Sequence, residues 1–240
     1  MKKILLVILL IVTYQILFSL FPINNYFPSI LQILQTLIRD LSSQVIYLDI
    51  ITSLIRVLVG FLIASVVGIS LGLILAYDNR LKDLKLYIEL LRPIPPIAWI
   101  PIAIIIFGLG DPSSYFIVFL GAFFPIFTNT YFGANSIPVI YKNVSSSFQL
   151  GRLRYFTRIL LFFTLPYIFT GLKTGMGMAW MSVIAAELIG AQSGLGYFIQ
   201  LNRLLLQTDN IIIGMMFIGI IGYLLQKVIE FMESKIIVWN

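Results

Sequence analysis

Long stretches of the chain carry apolar residues without a charge, and polar residues gather between them. Runs such as Ile4–Leu20, Val57–Tyr77 and Pro93–Gly110 approach or exceed the ~18 to 20 residues that a helix needs to cross a hydrocarbon core. This pattern predicts an all-α polytopic membrane protein with six transmembrane helices. The predicted spans are Ile4–Phe21, Leu54–Tyr77, Ile94–Leu109, Tyr115–Ile137, Leu165–Leu188 and Ile211–Ile229.

The first 50 residues differ in pattern from the rest. The run Ile4–Phe21 is longer than the ~7 to 15 apolar residues of a signal peptide, and no small-x-small cleavage motif follows it. A retained span is therefore favoured over a cleaved signal peptide. Residues 22–50 are mixed in polarity and predict a short amphipathic helix at about Ile30–Leu41. We divide the chain into residues 1–50, the first helix with its outer loop, and a core of residues 51–240.

Composition supports a membrane protein and excludes most enzyme classes. Hydrophobic residues make up 60% of the chain and charged residues 11%, against roughly 45–50% and about 25% in soluble domains. The chain has no cysteine and no histidine, which excludes disulfides, thiolate or imidazole metal sites, nucleophilic dyads that use these residues and a histidine proton relay.

The net charge of +6 is explained by membrane topology better than by nucleic acid binding. If both termini are cytoplasmic, 12 of the 16 Lys and Arg residues fall on the cytoplasmic side: Lys2, Lys3, Arg80, Lys82, Lys85, Arg92, Lys142, Arg152, Arg154, Arg158, Lys227 and Lys235. Such an excess of basic residues on one side predicts cytoplasmic N- and C-termini.

Span two carries a small residue at every fourth position. Gly60, Ala64, Gly68 and Gly72 therefore form a stripe along one face, where a neighbouring helix can approach closely. Internal helix packing is the favoured interpretation. A gating helix that slides on this smooth face is the alternative.

Span three opens with an unusual density of prolines. Pro93, Pro95, Pro96 and Pro101 each remove a backbone donor, and a proline within a helix also clashes with the preceding turn. Irregular backbone at membrane depth is tolerated where it is buried in protein or lines a water-filled cavity. An ordinary helix start accounts for the first three prolines but not for Pro101. We therefore regard Pro95, Pro96 and Pro101, with the neighbouring Trp99, as candidates for lining a path.

The loop of residues 138–163 is the most polar and basic internal segment. Its sequence predicts a short helix at Asn143–Phe148, a break at Gln149–Gly151 and a second, amphipathic helix that carries Arg152, Arg154 and Arg158. Charge alone favours adsorption of this helix to anionic headgroups. Docking to a protein partner is the other interpretation.

Glu187 is a carboxylate at or near membrane depth, where such groups are rare and usually face a bundle interior or water. Lys173 lies 14 residues earlier on the same predicted helix, a distance of roughly 21 Å, so these two residues cannot pair. The sequence assigns no partner to Glu187. A structural carboxylate and a pathway residue stay equally open.

Four of these segments, in this order, resemble the membrane subunits of ABC importers. They are LLRPIPPIAWIPIAIIIFGLGD, FLGAFFPIFTNT, LPYIFTGLKTGMGMAW and AAELIGAQSGLGY. The resemblance runs from about Ile51 to the C-terminus and is to the binding-protein-dependent permeases of the nitrate, sulfonate, taurine and bicarbonate type. It implies a MetI-like type I ABC importer permease fold, in which the loop of residues 138–163 is the cytoplasmic coupling loop.

The hallmark pattern of that coupling loop is absent here. The family has Glu-Ala-Ala, three residues, Gly and, thirteen residues after the Gly, Pro. By ungapped counting back from Pro166, these positions hold Asn143, Val144, Ser145, Gln149 and Phe162. Gln149 would be disfavoured in the left-handed conformation that glycine adopts freely, and Gly151 is the alternative position for the turn.

The resemblance also implies partners. These are a second copy of the chain, two copies of an ABC ATP-binding subunit and an extracytoplasmic solute-binding protein. ATP and Mg would be bound by the ATPase, because the chain has no GxxxxGK[ST] motif and Gly171–Thr174 reads only GLKT. The implied function is that of a non-catalytic permease subunit of the inner membrane, which works by alternating access on a small anion or organic solute.

An ion-coupled secondary transporter and a membrane-embedded enzyme are the alternative functions. The candidate residues for ATPase coupling are Asn143, Ser145, Phe148, Gln149, Leu150, Gly151, Arg152 and Arg154. The candidates for the translocation path or gate are Pro95, Pro96, Trp99, Pro101, Lys173, Met178 and Glu187.

Overall fold

A computed structural model of the chain describes residues 28–238 and, before them, Thr13 alone. Residues 28–238 are helical and contain no β-strand, which confirms the all-α prediction. The α-helices are α1 (Ile30–Leu41), α2 (Gln44–Tyr77), α3 (Lys82–Leu91), α4 (Ile100–Phe107), α5 (Asp111–Asn135), α6 (Val139–Ser147), α7 (Arg152–Gly190), α8 (Leu195–Leu204) and α9 (Thr208–Ile236). Short 3₁₀ helices lie at Asn79–Leu81 and Pro96–Trp99, and α7 contains a π-helical turn at Phe156–Leu160.

Four of these helices, α2, α5, α7 and α9, are long and apolar enough to cross a membrane. A fifth crossing is available only if α3 and the Pro96–Phe107 segment count as one span, and these two are bent by 85°. The predicted span three, Ile94–Leu109, corresponds to the 3₁₀ helix Pro96–Trp99 and α4, which without α3 are too short for a crossing. The first predicted span, Ile4–Phe21, lies outside the described residues except for Thr13, so the number six stays a prediction.

Helix α2 begins at Gln44, well before the predicted start at Leu54. The side chain of Ser43 caps it by accepting a hydrogen bond from the Val45 N–H. The first turns of α2 contain polar residues, Asp49 among them, that are buried in the protein and do not face water. Hydropathy alone therefore misplaced this boundary.

Helix α1 coincides with the amphipathic helix that the sequence predicted, Ile30–Leu41. A capping box fixes its start. The Ser29 hydroxyl accepts from the N–H of Gln32, and the Gln32 side chain accepts from the N–H of Ser29 at 2.7 Å. These bonds satisfy two donors that the first helical turn would otherwise leave unpaired.

The core lies along α5, which packs against α2 on one side and α7 on the other. Phe119, Phe123, Phe127 and Tyr131 recur at every fourth position of α5, and each ring stacks on the next at centroid distances of 5.3, 5.7 and 6.1 Å. Stacked rings at this spacing add dispersion and quadrupole contacts to the apolar burial. The rings thus form a continuous stack along one side of α5.

The small-residue stripe of α2 lies directly against α5. A Cβ atom added to Gly60 would lie 2.6 Å from the Cβ of Val118, and one added to Gly72 would lie 2.8 Å from the Cβ of Thr130. Real side chains do not approach this closely, so the two backbones can touch only because the stripe lacks side chains. This arrangement supports internal packing as the role of the stripe.

Replacement of Gly72 by leucine should therefore destabilise the protein by about 1–3 kcal/mol, because the new side chain must push α5 away. Gly177→Leu is the matched control, since a Cβ there meets no atom within 4 Å in the part of the chain that the structure describes. The measurement is the thermal transition of the detergent-solubilised chain. Equal transitions for the two variants would show that α2 does not pack on α5 through this stripe.

Candidate functional site

A buried polar cluster joins α2, α5, α7 and the start of α8, and Glu187 lies at its centre. The side chain of Glu187 has no solvent exposure. Its carboxylate accepts hydrogen bonds from the Ser53 hydroxyl at 2.8 and 2.9 Å, from Arg56 Nη1 at 3.0 Å and from the Gly196 N–H at 2.9 Å. The sequence left Glu187 without a partner, and the structure assigns it three.

Arg56 of α2 is the cation of this cluster, and its side chain is only 4% exposed. Besides Glu187, its guanidinium donates to Asp111 Oδ1 at 2.8 Å and to the Ser193 carbonyl oxygen at 2.6 Å. Asp111 is half exposed at the first position of α5. One arginine therefore bridges a buried carboxylate and a more exposed one on two different helices.

The same cluster holds the turn that leads into α8. Gly194 has φ +105°, a conformation that glycine adopts freely, and its N–H donates to Asp49 at 2.7 Å. The next N–H, that of Leu195, donates to the Ser53 hydroxyl at 2.9 Å. Two side chains of α2 thus fix the first donors of α8, which otherwise have no partner within that helix.

This geometry favours the structural interpretation of Glu187 over a role in the pathway. The carboxylate has no solvent exposure and is held by three donors of the protein, so it is not open to a passing solute or ion in this conformation. The signal that could have found its partner is present in the sequence, because Arg56 is the only charge in the predicted span Leu54–Tyr77. Charges at membrane depth usually pair with one another.

Lys173, the other ionic path candidate, joins α7 to α9. Its ammonium group lies 2.9 Å from Glu233 Oε2, and both side chains are partly exposed, at 29% and 26%. The structure therefore separates Lys173 from Glu187, as the distance along the helix requires, and gives each its own partner. Each of these two charged path candidates therefore has an ion-pair partner among the described residues.

The proline-rich segment consists of two helix starts in succession. Pro95 precedes the 3₁₀ helix, Pro96 begins it, and Pro101 lies in the first turn of α4. A proline in a first turn costs no intrahelical hydrogen bond, because the N–H there has no partner in the helix anyway. One helix start does not account for Pro101, as expected from the sequence, but the second start, that of α4, does.

A cavity of about 220 Å³ lies where this segment meets α5 and α7. Two path candidates, Pro96 and Met178, line it, together with the helix-interior Pro125 of α5 and with Arg92, which the sequence did not indicate as a path residue. Trp99 lies beside this region, and its indole Nε1 is buried without a hydrogen-bond partner among the described residues. The cavity thus brings together one of the four path candidates in this segment, Pro96, and one of the three in α7, Met178.

The coupling-loop candidates form two helices joined by a tight turn. Helix α6 is longer than predicted and begins at Val139. Its end is a Schellman motif, in which the N–H of Gln149 donates to the Ser146 carbonyl and the N–H of Leu150 donates to the Ser145 carbonyl, both at 3.0 Å. Gln149 has φ +48°. The left-handed residue is therefore Gln149 and not Gly151, which is extended at φ −62°.

Apolar side chains of this loop project outward. Phe148 and Leu153 are each 76% exposed, and Ile140 is 65% exposed. The basic residues Arg152 and Arg154, and also Asn143, are exposed beside them. Ser145 is buried and lines a cavity of about 330 Å³ beneath the loop. The loop thus presents an apolar surface with a basic rim.

The second helix of the loop continues without a break into the core, because α7 runs for 39 residues from Arg152 to Gly190. At 1.5 Å per residue it is about 58 Å long. The loop-side end of α2 packs on it through Tyr77, whose ring centroid lies 6.2 Å from that of Tyr155. One helix therefore connects the exposed loop with the polar cluster around Glu187.

Comparison with known proteins gives consistent matches. The family model described as "Binding-protein-dependent transport system inner membrane component" matches residues 68–232. The chain is 41% identical over 193 residues to the nitrate import permease protein NrtB of Synechocystis sp., which covers 79% of this chain and 70% of that protein. It is 35% identical to the bicarbonate transport system permease protein CmpB of Synechococcus elongatus, over 78% of this chain and 68% of that protein.

Among solved structures, the fold is similar to a chain of the MetNI methionine ABC transporter in an inward-facing conformation. The TM-score is 0.68 at 19% sequence identity, and the match covers 80% of this chain and 95% of the other. At this identity the likeness concerns the fold alone.

Proposed function

Because the chain belongs to the family of binding-protein-dependent transport system inner membrane components, we propose that two copies of it form the solute path of an ABC importer and couple that path to a separate ATPase. The chain is an ABC permease and a multi-pass protein of the inner membrane. In this proposal both termini are cytoplasmic, and the loop of residues 138–163 is the coupling loop.

The observation that carries the proposal is the exposed apolar surface of that loop. Phe148 and Leu153 lie largely open to solvent, although each would contribute roughly 1.5–3 kcal/mol if buried. A large aromatic surrounded by polar groups is typical of an anchor residue at a protein interface. An ATPase groove would cover this surface and leave Arg152 and Arg154 at its rim.

The continuous helix α7 suggests how the loop acts on the path. ATP binding would close the ATPase pair and draw the two coupling loops together, and the path would open outward. A displacement at Arg152 is carried along α7 because the helix has no break before Gly190. Two features inside it, the π-helical turn at Phe156–Leu160 and Pro166, are the places where it can bend.

The solute in this proposal is a small anion such as nitrate or bicarbonate, as the names of the relatives suggest. The cavity lined by Arg92, Pro96 and Met178 supports this assignment, because it places a cation at the proline-rich segment. Sulfonates and taurine stay within the proposed range. The solute-binding protein would set most of the selectivity, and ATP and Mg would be bound by the ATPase.

The geometry gives no support to the two alternative functions, an ion-coupled transporter and a membrane-embedded enzyme. An ion-coupled transporter needs a titratable group that alternates between partners, and its main candidate, Glu187, is held by Arg56 and Ser53. A membrane-embedded enzyme needs a cluster of polar groups open to a substrate. The polar cluster around Glu187 is instead occupied by its own hydrogen bonds.

Purification of the tagged chain from native membranes in mild detergent tests the proposal. We expect an ABC ATP-binding subunit and an extracytoplasmic solute-binding protein to co-purify and to be identified by mass spectrometry. The reconstituted complex should hydrolyse ATP faster when its binding protein and the matching solute are added. Recovery of the chain alone, with solute uptake driven by an ion gradient in the absence of ATP, would contradict the proposal.

A further inference from the structure

Helix α1 has one face packed against the protein. Thr36 and Asp40 are buried, and the Thr36 hydroxyl donates to Asp209 Oδ2 at the start of α9 at 2.7 Å. Arg39 donates to the side-chain oxygen of Asn210 at 3.1 Å. These bonds fix the rotation of α1 about its own axis, so its remaining faces point away from the protein.

The exposed part of α1 is divided into two faces of opposite chemistry. One face is apolar, and its side chains are 65, 50, 67 and 43% exposed at Leu31, Leu34, Ile38 and Leu41. The other exposed face, about a quarter turn away, is polar and consists of Gln32, Gln35 and Arg39. Such a division is expected for a helix that lies at a boundary between an apolar and an aqueous phase.

The depth of α1 follows from its contacts with α9. The uncharged apolar run of α9, Ile211–Leu225, has 15 residues and is about 22 Å long. The hydrocarbon core of a bilayer is about 30 Å thick. Because the run is shorter than this core, both of its ends are needed within it, and the polar residues that flank the run lie at the hydrocarbon boundary. Asp209 and Asn210 are these residues at one end. Because α1 is bonded to both, it lies at the same depth.

The surroundings of α1 are apolar at this level as well. Val45 and Leu48, in the first turns of α2, are 62% and 63% exposed and continue the apolar surface into a membrane-spanning helix. Leu206, just before α9, is 87% exposed. The apolar face of α1 is thus continuous with the lipid-facing surface of the spans.

We propose that α1 lies in the membrane surface opposite the coupling loop, with its apolar face in the acyl chains and its polar face in water. The partner is the lipid bilayer itself. Arg39 is the only basic residue of α1, so apolar burial and not attraction to anionic headgroups provides the binding. The inference does not depend on the transported solute or on the ATPase.

Site-directed spin labelling tests this arrangement directly, because the natural chain has no cysteine. Single cysteines are introduced at Leu31, Leu34 and Ile38 on the apolar face and at Gln32 and Gln35 on the polar face. The labelled full-length chain is reconstituted in vesicles of phosphatidylcholine with or without phosphatidylglycerol. Collisions with oxygen, which concentrates in lipid, are compared with collisions with a water-soluble nickel chelate.

We expect oxygen collisions to dominate at Leu34→Cys and Ile38→Cys and nickel collisions to dominate at Gln35→Cys, with no dependence on phosphatidylglycerol. High nickel accessibility at both faces would place α1 in water and overturn the proposal. Low accessibility to both reagents on the apolar face would also overturn it, because a protein segment or a second copy would then cover that face. Three positions on the apolar face keep the test valid if one variant does not fold.

Discussion

Arg56→Ala should prevent the chain from accumulating as a folded membrane protein. The substitution leaves the fully buried carboxylate of Glu187 without its cation. Removal of one partner from a buried ion pair typically costs about 3–5 kcal/mol, because the remaining charge is neither solvated nor neutralised. The same change also removes the donors to Asp111 and to the Ser193 carbonyl. The yield of monodisperse protein in detergent and its thermal transition are the measurements.

A double variant separates the charge effect from the loss of packing. Arg56→Met with Glu187→Gln removes both buried charges and keeps side chains of similar length, so it should recover part of the stability that Arg56→Ala loses. The control is the partly exposed pair of Lys173 and Glu233. Lys173→Met should cost only about 0–1 kcal/mol, as is usual for pairs in contact with solvent. Equal effects of Arg56→Ala and Lys173→Met would show that the cluster around Glu187 does not hold the helices together.

Phe148→Asp should abolish co-purification of the ATPase while the chain still inserts into the membrane and forms dimers. Phe148 is 76% exposed at the end of α6, so a carboxylate there does not disturb the core of the chain. In an ATPase groove, however, the same carboxylate would be buried without a partner. Loss of an anchor residue at an interface costs roughly 2 kcal/mol or more, which is at least a 30-fold loss of affinity.

Two controls distinguish docking from adsorption to lipid. Phe148→Leu keeps an apolar side chain and should retain the ATPase. Tyr87→Asp changes an aromatic residue of α3 that is 64% exposed outside the coupling loop, and should also retain it. Adsorption to headgroups predicts instead that Phe148→Asp and Arg154→Glu cause comparable, partial and salt-sensitive losses. Full recovery of the complex with Phe148→Asp would refute the docking role of the loop.

Elements with a strong local signal were predictable from the sequence. The bounds of helix α1, Ile30–Leu41, were predicted from its amphipathic pattern, and the structure adds the capping box at Ser29. The stripe at Gly60, Gly68 and Gly72 was predictable as a packing face because spacing by four residues fixes one side of a helix. In both cases the signal lies within a single element.

Features that depend on several elements were not predictable in this way. The start of α2 was misplaced because Asp49 and Ser53 look solvent-facing in sequence, whereas contacts with Glu187 of α7 and with the start of α8 bury them. The partner of Glu187 lies 131 residues away, so no local pattern connects the two, and only the tendency of lone charges at membrane depth to pair indicates Arg56. The turn of the coupling loop was expected at Gly151 or Gln149. The position of the turn is fixed by the end of α6, because the two Schellman hydrogen bonds require a left-handed residue at Gln149.

The central claim is that the coupling loop contacts an ATPase, and crosslinking in the native membrane tests it most directly. A photoreactive amino acid at position 148 replaces the exposed Phe148, and the same residue at Leu31, on α1, serves as the control. After irradiation, we expect position 148 to form a covalent adduct with an ATP-binding subunit, identified by mass spectrometry, and position 31 to form none with that subunit. An adduct of position 148 with lipid alone would contradict the account.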